Sequence, residues 1–432
     1  MTKASNATVF AFLFSTILHA QTFLSPSEAV SISLQNNYTI LISRNDQEIA
    51  ERNQSLGNAG FLPRMNSNAA RNTVVTNTKQ IRNQVEQNFS NAQTVSSSAN
   101  IALNWTLFDG LGMFMNYERL KGLNEVARLN LRENIQQTVL NVQVGYFNVV
   151  LQKEILKAIQ ENIKLSEERL RIINVKVEVG SASKYEALQA QVDVNTYKAA
   201  NFNQQNILDN AKVQLNNLLS REVTTPFEVA DSIPLETINP TQLNLSLNNT
   251  IMIAQKNQYI ARKLIGLARS FYAPVIGLSS GYNFLRSEAP LGLSLTTYTR
   301  SYGYTYGINA SWNLFGGFNQ RRLVQVAKIN NATSTLVAQQ VKLQAESNFV
   351  QFTNNYNKSL QQLALEDENI KVASLNAELA LERLDLGMAS SLDVKIAQQS
   401  YLDSKVRRFS ATYNVKVAEL QLLKVSGRIV SQ

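Results

Sequence analysis

The chain has 432 residues, 41 lysines and arginines against 32 aspartates and glutamates, a formal net charge of +9, one histidine and no cysteine. The lack of cysteine excludes disulfides, thiolate metal sites, thiol nucleophiles and lipid attachment through cysteine, and with His19 as the only histidine, triads and the usual zinc ligands are excluded beyond it. Lysines and arginines alternate with Glu, Asp, Gln and Asn at helical spacing without a block of like charge, which marks solvated helix faces rather than a nucleic-acid footprint.

Residues 1–20 read as a signal peptide: Lys3, an apolar run from Val9 to Leu18, then Leu18-His19-Ala20 before Gln21. The run is about half the ~20 residues of a spanning helix. Export is therefore expected, and removing the leader with its single Lys3 leaves a charge of +8.

Next, Ser25-Pro26-Ser27-Glu28 combines a capping serine, a proline at the first helical position and a capping-box glutamate, and predicts a helix over residues 26–62, ended by Pro63. Two extended segments are expected near 65–77 and 97–108. In the latter, Ala99, Ile101, Leu103, Trp105 and Leu107 share one face, and Asn100, Ala102, Asn104 and Thr106 the other. Residues 110–178 contain no proline and predict one helix ~100 Å long. Along it Ile135, Val142, Val149, Leu156, Ile163, Leu170 and Val177 recur every seven residues, the spacing of a coiled-coil seam. A second ladder, Val144, Leu151, Ala158, Leu165, Ile172 and Val179, runs two residues out of step. Two positions turn a helix by roughly 200°, so the rod needs neighbours on both sides. A return helix over 182–219 follows, and then a linker over 226–245 containing Pro226, Pro234 and Pro240.

The second half repeats the first. Trp105-Thr106-Leu107-Phe108-Asp109-Gly110 recurs 207 residues on as Trp312-Asn313-Leu314-Phe315-Gly316-Gly317, and Gly180-Ser181-Ala182-Ser183 recurs at the same offset as Gly387-Met388-Ala389-Ser390. Repeat 1 spans 21–225 and repeat 2 spans 246–432. The second repeat carries a helix near 246–273, strands near 275–287 and 298–314, a long helix over 317–386 and a return helix over 389–425. Its rod again carries two ladders, Phe349, Tyr356, Leu363, Ile370, Ala377 and Leu384 on one side, Leu365, Val372, Leu379 and Leu386 on the other. Tyr302, Tyr304, Tyr306, Ile308, Ala310 and Trp312 share a strand face opposite Ser301, Gly303, Thr305, Gly307, Asn309 and Ser311, the aromatic-rich alternation of an outer-membrane strand. Four strands cannot close, because the smallest such barrels need about eight and open edges in hydrocarbon cost several kcal/mol per unpaired group. Chains must pool their strands; two or three copies both satisfy the arithmetic.

Across nearly the whole chain these residues resemble the TolC-like outer-membrane efflux family. The shared marks are the apolar stretch ending in an asparagine pair (Leu34-Gln35-Asn36-Asn37), the proline turn Leu62-Pro63, the tryptophan-leucine-phenylalanine exit from the strands and the glycine turns at the helix tips. The resemblance implies a mainly α fold with transmembrane β: a homotrimer forming a twelve-stranded β-barrel and a long α-helical barrel, each duplicated protomer giving four strands. It places the protein in the outer membrane of a Gram-negative-type cell with helices reaching into the periplasm. There it would be the exit duct of a tripartite efflux or type I secretion system, passing substrates from an inner-membrane transporter and a periplasmic adaptor to the exterior. Outer-membrane lipid is an expected partner and nucleic acid is not; no cofactor and no enzymatic activity are expected. By the same resemblance Val179, Gly180, Ser181, Ala182 and Ser183, with Leu386, Gly387, Met388, Ala389 and Ser390, form the adaptor-contacting tips. Asp393 and Glu186 line the periplasmic aperture, although Ile396 stands where a further acid would follow, and Trp105, Trp312, Tyr302, Tyr304 and Tyr306 are the membrane-interface aromatics. The alternative left open is a stand-alone porin or adhesin without an efflux partner.

Overall fold

The structure is a computed structural model and describes residues 22–290, 293–294 and 296–430; the expected signal peptide lies outside these residues. The chain divides into two compact units, one taking the residues up to Leu41, Ile135–Ser246 and Asn348 onward, the other Ile42–Asn134 and Leu247–Ser347. In chain order the elements are β1 (Thr22–Phe23), α1 (Pro26–Asn36), α2 (Tyr38–Asn53), α3 (Leu56–Ala59), β2 (Arg64–Arg82), β3 (Val85–Phe108), α4 (Gly112–Glu178), α5 (Lys184–Leu218), β4 (Phe227–Glu228), a 3-10 turn (Pro240–Gln242), α6 (Asn249–Ser270), β5 (Val275–Glu288), β6 (Tyr298–Ser311), α7 (Asn319–Asp385) and α8 (Ser391–Val425). Among the described residues no helix is long and apolar enough to cross a membrane.

The unit containing Ile42–Asn134 holds one antiparallel sheet in the order β2-β3-β5-β6. Each strand-to-rod turn has two successive residues at positive φ, Gly110 (71°) with Leu111 (68°) and Gly317 (60°) with Phe318 (61°), again 207 apart. A Cβ on Gly110 would stand 2.5 Å from the Ser270 carbonyl oxygen, so this position admits no side chain.

The other unit is built on an apolar core in which Val139, Val142, Tyr146, Val149 and Val150 of α4 pack with Leu208 and Leu215 of α5, Leu420 and Leu423 of α8, Ala29 of α1 and Phe227 of β4. β1 and β4 pair in parallel, and Tyr146 fastens them by donating to the Leu24 carbonyl (2.9 Å) and accepting from the Ala230 amide (3.1 Å).

Several expected boundaries differ. The helix expected over 26–62 is three helices. Asn37 leaves the helix with ψ 121°, its Oδ1 accepts from the Thr39 amide (3.0 Å) and its Nδ2 donates to the Leu218 carbonyl (3.0 Å), so the asparagine pair ends one helix, starts the next and pins the end of α5. β3 begins at Val85 rather than near 97, because it pairs with β2 through Arg82↔Val85 at a tight turn where Asn83 and Gln84 both have positive φ. The strand expected over 298–314 stops at Ser311, which leaves Trp312 just past its end.

Candidate functional site

Directly paired residues of an antiparallel sheet point to the same side, so the register sorts the four strands into two faces. One carries Tyr302, Tyr304, Tyr306 and Ile308 of β6, paired with Phe284, Tyr282, Ser280 and Leu278 of β5; these meet Ala99, Ile101, Leu103 and Trp105 of β3, and through them Ala69, Ser67 and Met65 of β2. The opposite face carries Asn66, Asn68, Asn100, Asn104, Ser279, Asn283, Thr305 and Asn309. One side suits hydrocarbon and the other water. The two tryptophans do the same work in each repeat: Trp105 Nε1 donates to the Phe61 carbonyl (2.8 Å) and Trp312 Nε1 to the Tyr272 carbonyl (3.0 Å), each two residues before the proline that opens its hairpin. Their indoles thus bond at the inner end of the strands while Tyr302, Tyr304 and Tyr306 stand exposed along β6.

Both helix tips end in the same backbone motif. The Gly180 amide donates to the Val177 carbonyl and the Ser181 amide to that of Lys176; the Gly387 amide donates to Leu384 and the Met388 amide to Arg383. Gly180 and Gly387 take φ of 77° and 74°, which a side chain disfavours; a Cβ on Gly180 would meet nothing within 4 Å, and one on Gly387 only Lys176 Nζ at 4.0 Å. Ser183 then caps α5 by accepting from the Glu186 amide (3.2 Å), and Ser390 caps α8 by accepting from the Asp393 amide (3.2 Å). Val179, Leu386 and Met388 are exposed, with Ala182 and Ala389 half-buried between them.

Asp393 and Glu186, the expected aperture acids, are both exposed one turn into their helices. Only Asp393 bonds back to its cap, accepting from the Ser390 hydroxyl (2.7 Å) and amide (3.0 Å). Those two bonds hold its carboxyl below the usual carboxylate range, and it is ionised at neutral pH.

Four residues near the tips escaped the sequence reading. Lys176 of α4 donates to the Leu384 carbonyl of α7, tying the two tips together. Arg169, fully buried on α4, donates from Nη2 to Asp193 Oδ2 of α5 (2.6 Å), and Lys395 of α8 donates to Asp193 Oδ1 (2.6 Å). Arg169 Nε and Nη1, both polar side-chain atoms of Asn162 and the Ser166 hydroxyl find no partner among the described residues. In sequence Arg169 looks like any charge on a solvated helix; its only signal is that it follows Asn162 and Ser166 on one helical face.

The sheet and the paired rods define an outer-membrane channel protomer, and comparison with known proteins agrees. The model of the outer membrane efflux protein family matches residues 29–221 and 241–428, so the chain belongs to that family and is an outer-membrane efflux channel. The outer membrane efflux protein BepC of Brucella suis is 20% identical over 425 residues, 97% of this chain and 89% of that protein. The outer membrane protein TolC of Vibrio cholerae is 21% identical over 304 residues, 69% of each chain. The CmeC outer membrane channel of Campylobacter jejuni superposes with a TM-score of 0.79 at 18% identity, covering 94% of this chain and 86% of that one. The expected fold class is borne out: a mainly helical, duplicated chain contributing four strands to a membrane barrel.

Proposed function

We propose that three copies close a twelve-stranded barrel and a helical duct, that the glycine tips dock a periplasmic adaptor fed by an inner-membrane transporter, and that Asp393 and Glu186 line the inner aperture. The role is conduction, not chemistry, in keeping with membership of a channel family.

The observation that carries this is the uncovered second ladder of α7: Leu365 (57%), Val372 (65%), Leu379 (47%) and Leu386 (67%) stand exposed in a single chain, as do Ile329, Leu336, Leu343 and Val350 further up the rod. Exposed apolar side chains at heptad spacing need another helix to cover them. On α5 Tyr185, Leu188, Val192 and Phe202 are exposed as well. The two stripes lie on different elements, which supports a head-to-tail contact between copies that closes into a ring. Free edges on β2 and β6 favour the same closure, since unpaired strand edges are untenable in lipid.

Because the chain has no cysteine, Met388→Cys creates its only thiol. A cysteine-to-amine crosslinker placed there in cells should capture an adaptor, identified by mass spectrometry, and Val223→Cys, an exposed site outside the tips, should not. Equal capture at both positions, or none at Met388→Cys, would refute the docking assignment.

A further inference from the structure

The register sets three arginines in one row on the lipid-facing side of the sheet. Arg71 of β2 pairs with Ser97 of β3, Ser97 with Arg286 of β5, and Arg286 with Arg300 of β6. Three of the four side chains in that row are therefore guanidinium groups on one face, the face that carries Tyr302, Tyr304, Tyr282 and Ile101 below them. All three arginines are exposed.

The row sits at a defined depth. From Ile276, at the inner end of β5, to Arg286 is about 33 Å along the strand, and a tilt of about 45° reduces this to about 24 Å across the membrane, close to the ~25 Å apolar band of such barrels. The strands join their helices at the inner end and turn back at the other. The arginines thus mark the outer head-group level, opposite the tryptophan end.

The row carries an uncompensated charge. Arg286 is held by Glu288, with Nε at 2.9 Å, and its guanidinium lies 5.5 Å from the centre of the Tyr298 ring. Arg300 stands 5.7 Å from the Phe284 ring and 5.9 Å from the Tyr302 ring, and among the described residues neither it nor Arg71 has a carboxylate within ion-pair distance. Further out on the hairpin Lys79 is paired with Glu86 (2.7 Å). A lone arginine on an outward strand face reads as solvated; guanidinium groups lined up at one height, with Arg300 over the Phe284 and Tyr302 rings beneath, present forks that match phosphate oxygens.

We propose that this row binds the phosphate groups of an anionic glycolipid in the outer leaflet, anchoring each protomer at a fixed depth. The proposal rests on the reading of this face as lipid-facing. The test is a titration of the full-length protein in detergent, followed by native mass spectrometry, with bis-phosphorylated lipid A and with the same glycolipid lacking phosphates. The phosphorylated lipid should bind more tightly, and its apparent affinity should fall about fivefold for Arg71→Gln and about fivefold again for Arg300→Gln added to it. Arg286→Gln, whose charge Glu288 already offsets, should lose less, and Arg→Lys at either free position should restore part of the affinity. Equal binding of both lipids, unmoved by the substitutions, would overturn the phosphate site while leaving the apolar face intact. Displacement of the lipid by an equal concentration of inorganic phosphate would overturn the lipid assignment. Failure of either lipid to bind at all would overturn the lipid-facing reading itself.

Discussion

The rods α4 and α7 each span 67 residues and descend from one duplicated plan, yet their apolar ladders meet different fates. Short of the tip residue Val179, both ladders of α4 are covered within the chain, with Val142 and Val149 fully buried on one side and Ala158 and Ile172 buried on the other. On α7 only the ladder through Tyr356, Ala377 and Leu384 is buried, and the one through Leu365, Val372 and Leu379 is bare. Duplication therefore yields one rod that organises the protomer and one that reaches beyond it.

That contrast predicts opposite consequences for the same chemistry. Charge placed in the exposed apolar stripe further up α7, Leu336→Lys with Leu343→Lys, should abolish the assembly seen by size in detergent while helical content by circular dichroism stays unchanged. Charge placed in α4, Val149→Asp, should unfold the protomer, since a carboxylate would be buried without a partner. If both variants behave alike, the division of labour between the rods is wrong.

A smaller effect is expected where α4 meets its return helix. Arg169→Ala deletes a fully buried cation and should lower stability by about 3 kcal/mol, read as a drop in the denaturation midpoint. Lys395 still faces Asp193, so Lys395→Ala, at a half-exposed position, should cost clearly less. Equal losses would show that burial does not set the strength of this link.

The tips should be functionally sensitive and structurally tolerant. Gly180→Val and Gly387→Val force a branched residue to positive φ, costing roughly 1–2 kcal/mol each, and should eliminate export, measured as dye retention, while assemblies survive intact. Normal export from the double variant would remove the tips from the mechanism.

Smallest is Asp393→Asn, which should alter divalent-cation block of single-channel current with little change in assembly. The lowered carboxyl pKa means its cap contribution is complete above the ordinary value of 3.8 and is lost as pH falls through the lowered one. The thermal midpoint of the parent should therefore decline more steeply than that of the variant below that pH, and parallel curves would contradict the capping role.

The duplicated plan was legible because Trp105 and Trp312, and Gly180 and Gly387, sit at places that tolerate few substitutes: an indole tying a strand to a carbonyl, and a backbone angle that favours glycine. The outer part of β3, Val85 to Ser96, was not legible, because beyond the apolar band water wets both faces of the hairpin and no alternation is required. Asn37 was read as part of a family motif but not as a helix break, since its partner, the Leu218 carbonyl, lies 181 residues away. The arginine row and the Arg169 cluster were hidden for the same reason: each is assembled by register or packing from distant segments whose members look singly like ordinary surface charge.

The most direct test of the pooled-strand account is the number of chains in the detergent-solubilised particle, counted by native mass spectrometry. Three chains per particle, falling to one when Leu336 and Leu343 become lysine, is the predicted result. A parent protein that remains a stable single chain, with its four-stranded sheet and bare α7 ladder uncovered, would contradict it.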